Sequence, residues 1–123
     1  MIFLRPRNGI CNRLRVISSG LALARESNCK LCVYWVDDDG LNEKFTNLFS
    51  VPGDFELIEK KSKDMEGLFS TANSMHLGKD EFGNQQKVAA FLNDVRARAK
   101  DIDFSISSSS HFCGNHDYQW VKL

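Results

Sequence analysis

The sequence predicts a three-layer α/β domain built on a mainly parallel sheet of about four strands. Three observations carry that prediction. A short apolar strand, an amphipathic helix and a wholly apolar second strand follow one another over residues 2–36 with short links. A second clear helix and an alternating strand repeat the order over residues 85–106. The 123 residues are 42% apolar and 26% charged, which suits one domain with a buried core. Strands separated by helices stack into parallel sheets with helices on both faces, the Rossmann-like layout.

Ile2-Phe3-Leu4-Arg5 reads as a strand ended by Pro6, which cannot donate to a ladder. Gly9 permits a tight turn. Leu14, Ile17, Leu21 and Ala24 recur at helical spacing, so a helix is expected from Asn12, as its N-cap, to about Ser27. Leu31-Cys32-Val33-Tyr34-Trp35-Val36 is a continuous apolar run that suits a central strand buried on both faces. Asp37-Asp38-Asp39-Gly40 ends it, and the three elements form a βαβ unit with a right-handed crossover.

Phe45, Leu48 and Phe49 predict one or two helical turns between Leu41 and Phe49, broken by Val51-Pro52-Gly53. Phe55 to Glu59 alternates as a third strand. From Lys60 to Asn84 the charges and glycines predict loops, with a short strand or helix near Leu68-Phe69. Gln85 to Lys100 forms a helix with Val88, Phe91, Leu92, Val95 and Ala99 on one face. Ile102, Phe104 and Ile106 make a fourth strand that runs into Ser107–Ser110.

Sixteen basic and sixteen acidic residues give a net charge of zero, which lends a nucleic-acid partner no support. No run of eighteen apolar residues encodes a membrane span. Met1-Ile2-Phe3-Leu4 opens without the features of a signal peptide, so a cytoplasmic location is expected. In that compartment Cys11, Cys29, Cys32 and Cys113 are expected as free thiols.

Arg7-Asn8-Gly9-Ile10-Cys11-Asn12-Arg13-Leu14-Arg15 is the stretch richest in chemistry. It sets a turn, an amide and three arginines at the start of a helix, where unsatisfied N–H groups and the helix dipole favour anions. An arginine fork can hold a phosphate bidentately, so Arg13 and Arg15 are candidates for a diphosphate site.

This loop, followed by Ser19-Gly20-Leu21-Ala22-Leu23-Ala24-Arg25-Glu26 and Leu31-Cys32-Val33-Tyr34-Trp35, resembles the N-terminal segment of fucosyltransferase-like glycosyltransferases. That group comprises α-1,6-fucosyltransferases, nodulation fucosyltransferases and protein O-fucosyltransferases. Its loop has the form G-x-[FL]-G-N-[QR], and Phe45-Thr46-Asn47-Leu48-Phe49 also looks like the aromatic segment that follows in bacterial members. The likeness covers roughly residues 2–50. It implies transfer of fucose from GDP-fucose to a glycan acceptor with inversion, without a further cofactor or metal. Gly9, Ile10, Asn12 and Arg13 would then line the cleft near the donor diphosphate.

Two positions depart from the pattern. The family's loop glycines fall at Asn8 and Cys11; asparagine tolerates the left-handed backbone better than most residues. The Cys11 side chain stands where a diphosphate would approach. The H-x-R-x-x-[DN]-like motif of the family's second domain does not occur, since His76, His111 and His116 are not followed by Arg two residues on. The resemblance therefore implies the N-terminal half of a two-domain GT-B enzyme, inactive by itself, with no catalytic base identified.

Other readings stay open at this stage. A non-catalytic α/β nucleotide-binding or interaction domain is the alternative. Asp37 could bind a ribose, face the acceptor, act with Asp39 as a metal-binding D-x-D, or sit in a solvated turn. Cys29-x-x-Cys32 and Cys113-x-x-His116 have zinc-ligand types, but Cys32 falls within a predicted buried strand. His111 follows a predicted strand end, where a base or phosphate contact could stand. Arg96, Arg98 and Lys100 read as the wet face of their helix.

Overall fold

A computed structural model describes residues 1–37, 41–77 and 85–123. Among them, strands β1 (Ile2–Pro6), β2 (Leu31–Tyr34), β3 (Glu56–Ile58), β4 (Ser74–Leu77) and β5 (Phe104–Ser108) form one all-parallel sheet in the order β3-β2-β1-β5-β4. Helices α1 (Ile10–Ser27), α2 (Phe45–Leu48), α3 (Lys63–Leu68) and α4 (Gln85–Arg98) lie between them.

The steps β1 to β2, β2 to β3 and β4 to β5 all cross the sheet in one direction, and β3 to β4 runs back. Right-handed crossovers then place α1, α2 and α4 on one face and, among the described residues, α3 on the other. The packing follows that division. Ile2, Leu4, Leu31, Val33, Phe104 and Ile106 bury against Val16, Ile17 and Leu21 of α1 and Val88, Leu92 and Val95 of α4. On the opposite face Phe3, Tyr34, Val36 and Ile58 cluster with Met65 and Leu68 of α3 and with Phe69 just beyond it.

The main core is tight. A Cβ at Gly20 of α1 would stand 2.5 Å from the Leu4 methyl group, so the helix lies close on the sheet. Trp35, fully buried, meets Phe45 edge to face at 5.2 Å and donates its indole N–H to Glu43 O at 2.8 Å. Beyond β5 the chain crosses α1, where Ser19 Oγ accepts from the N–H groups of Phe112 (2.9 Å) and Cys113 (3.3 Å). Ser18 Oγ accepts from Asp117 N at 3.0 Å. Gly114 has φ +72°, and a Cβ there would meet Ala22 Cβ at 2.4 Å.

Four sequence expectations need correction. The sheet has five strands, because Ser74–Leu77 forms β4 within the region expected to hold loops. Only Met75 and Leu77 join the core there, too short a signal to register as alternation. Pro6 is itself the last residue of β1 rather than the stop that follows Arg5. Arg7 N donates to Ser108 O at 2.9 Å, so the N–H missing at Pro6 would point toward β2, whose pairing has already ended at Leu4–Val33. Next, α1 begins at Ile10 with Gly9 as its cap, because Asn8 takes φ 68° and turns the chain early. Lastly, β2, β3 and α4 end sooner than their apolar patterns suggested, at Tyr34, Ile58 and Arg98.

Candidate functional site at the carboxyl edge of the sheet

Ligands of open parallel sheets bind outside the carboxyl ends of the strands. That edge holds most of the residues singled out by the sequence. The turn leaving β1 is built by Asn8 in the left-handed region and Gly9 in an extended conformation (φ −71°, ψ 174°). Helix α1 then starts with no side-chain cap and no acidic residue in its first turn. A Cβ at Gly9 would meet nothing within 4 Å, and Cys11 is exposed. Ile10 is half-buried beside the core, and Asn12 is half-buried with its Oδ1 accepting from Arg15 Nη1 at 3.0 Å.

Arg13 stands apart from that surface. It is fully buried, donating Nε–H to Asn8 O and Nη1–H to Val36 O, both at 2.7 Å. Its guanidinium lies 4.9 Å from the Trp35 ring centre. Geometry gives it the work of tying the turn after β1 to the chain leaving β2. Arg15 and Asp37 are exposed. Asp38, Asp39 and Gly40 lie outside the described residues, so the second half of a D-x-D pair does too.

A group that sequence reasoning missed lies on the α3 face of the same edge. Arg5 pairs with Ser107 across β1 and β5, and Ser107 with His76 across β5 and β4. Ser107 Oγ is shared by His76 Nδ1 at 3.2 Å and Arg7 Nη1 at 3.5 Å. Arg5, 9% exposed, forms an ion pair with Glu66 and stands 5.5 Å from the Tyr34 ring centre. Lys61 Nζ is 3.8 Å from the other Glu66 oxygen. The available signal was parity: Arg5, Ser105 and Ser107 alternate with apolar residues on central strands, marking one face as polar.

A cavity of about 530 Å³ lies elsewhere, between α4 and the chain after β5. Val88, Ala89 and Leu92 line it opposite His111, Phe112 and Cys113. His111 stacks on His116 at 4.0 Å, and burial first, then the His116 charge, hold its imidazole below the ordinary histidine range. Burial also pushes the thiols of Cys32 (to about 11), Cys29 and Cys113 upward. All four cysteines are free, and no group of three metal-ligating side chains occurs among the described residues. Arg96 and Arg98 bind Glu26 and Asp94, both at 2.5 Å. No helix of the described residues is long and apolar enough to cross a membrane.

Comparison with protein families, curated proteins and solved structures finds no match to this chain.

Proposed function

We propose that this chain is the first α/β domain of a fucosyltransferase-like glycosyltransferase, with the turn from β1 into α1 facing the diphosphate of GDP-fucose. The observation that supports this reading most is the turn itself. Asn8 takes the left-handed conformation at a position where the resembled loop carries glycine. Gly9 leaves open space, and the first N–H groups of an eighteen-residue helix, whose cap residue has no side chain to bond them, stand at the carboxyl edge.

Sugar transfer builds negative charge on the departing diphosphate while the sugar becomes cationic. Preorganised N–H donors meet that charge more strongly in the transition state than in the ground state. Gly9, Ile10 and Asn12 supply the backbone surface, and Arg15 adds an exposed cation next to Asn12. Arg13 acts indirectly by fixing the turn. The remaining donor contacts and the base for the acceptor hydroxyl are assigned to a second domain carrying the H-x-R-x-x-[DN]-like motif.

A reading without catalysis, as a nucleotide-binding or interaction domain, draws on one observation. Among the described residues, no carboxylate or imidazole is hydrogen-bonded to residues 8–12. Calorimetric titration with GDP and GDP-fucose tests the binding that both readings share. Binding that Asn12→Asp weakens at least fivefold supports the turn as the diphosphate site, since the new charge repels an anion while suiting the helix dipole. Equal binding by the variant would contradict it. Fucose transfer on adding a second domain with that motif separates enzyme from binding module.

A further inference from the structure

We infer that the polar cavity on the α3 face is a second binding site, for a sugar or similar polyol bearing an oxyanion such as a carboxylate, phosphate or sulfate. The inference is independent of the reading of the α1 turn. The cavity holds about 350 Å³ and is lined by Arg5, Arg7, Glu66, Ser70, His76 and Ser107, with Phe69 as an apolar wall. It lies at the carboxyl ends of β1, β5 and β4, on the face that carries six-residue α3 among the described residues.

The floor is built from central strands, where parallel sheets ordinarily place Val, Ile and Leu. Here Arg5 and Ser107 are 9% and 5% exposed, and polar groups at that depth cost stability unless they are satisfied. Their placement is a fixed array of donors. Arg7 and His76 converge on one hydroxyl, Ser107 Oγ, at 3.5 and 3.2 Å. Arg5, locked by Glu66 and the Tyr34 ring, presents a guanidinium whose direction is preset. Arg7 on that hydroxyl, with Arg5 lining the same cavity, selects an oxyanion.

Other lining groups select the body that carries it. The Glu66 carboxylate accepts hydrogen bonds, Ser70 gives and accepts them, and Phe69, stacked at 5.9 Å on Tyr34, offers an aromatic wall. A bare phosphate uses none of these. An anionic sugar uses all of them, its hydroxyls on Glu66 and Ser70 and its carbon face toward Phe69.

Amide chemical-shift mapping of the full chain tests the site with four probes: glucose 6-phosphate, glucuronate, glucose and inorganic phosphate. At least one anionic sugar is expected to shift the amides of His76 and Ser107 saturably, with a dissociation constant at or below about 1 mM. Arg7→Gln is expected to weaken that binding at least fivefold. His76→Gln, at an exposed position, serves if Arg7→Gln fails to fold. Equal affinity for inorganic phosphate would overturn the polyol, and equal affinity for glucose would overturn the oxyanion. Absence of shifts with all four probes, or full-strength binding by the variants, would overturn the site.

Discussion

The two faces of this sheet meet opposite fates, though the same strands supply both. One face carries Ile2, Leu4, Val33, Phe104 and Ile106 and is closed by α1 and α4. The other carries Arg5, Ser105 and Ser107 beside Phe3 and Tyr34 and, among the described residues, has one short helix over it. Each face also sets an arginine near an aromatic ring of the β2 segment, Arg13 by Trp35 and Arg5 by Tyr34. Arg13 is enclosed and bonded to backbone carbonyls, so its charge holds the fold together. Arg5 is ion-paired with Glu66 at the wall of a polar cavity. Partners rather than burial separate the two: backbone carbonyls hold Arg13, and the Glu66 carboxylate holds Arg5.

Breaking the closed face should cost most. Arg13→Ala takes a donor from the buried Val36 carbonyl and another from the Asn8 carbonyl, and opens a void beside Trp35, so a loss of about 3 kcal/mol is expected in urea unfolding. Gly114→Ala should cost about 2 kcal/mol, since the Ala22 methyl group is short and cannot turn away and φ +72° disfavours a side chain. Ser19→Ala should cost about 1–2 kcal/mol by leaving two N–H groups without their acceptor. His76→Gln on the open face should stay within about 0.5 kcal/mol. A His76 variant as damaging as Arg13→Ala would erase the distinction between the faces.

Thiol chemistry sharpens the contrast. Exposed Cys11 should alkylate with iodoacetamide in the native protein. Cys32 and Cys113, buried with raised thiols, should react only on unfolding. The smallest effect expected is on pH dependence. The His111 imidazole is held below its ordinary range, so the native state favours the neutral ring. Stability from this source is complete above the unfolded histidine value of about 6.5 and declines as pH falls from there toward the lower native value. Urea melts on either side of that value should show the decline, and His111→Gln should flatten it.

Much of the fold was legible because its signals are long. The eighteen-residue α1 and the apolar run of β2 carry enough periodic positions to identify themselves. Four-residue β4, with two core positions, does not. Candidate sites were legible where they lie in one stretch of chain, as in Arg7 to Arg15. Arg5, Glu66, His76 and Ser107 come from three strands and a helix, and only strand register brings them together. Arg13 could be found by its loop, but no local pattern reveals that its guanidinium points inward to the Val36 carbonyl.

Mapping amide shifts during a GDP titration distinguishes a diphosphate site at the start of α1 from an ordinary turn. The proposed diphosphate site predicts saturable shifts at Gly9, Ile10 and Cys11, with the core amides of α4 unmoved. Unchanged amides at the start of α1 under saturating GDP would contradict it.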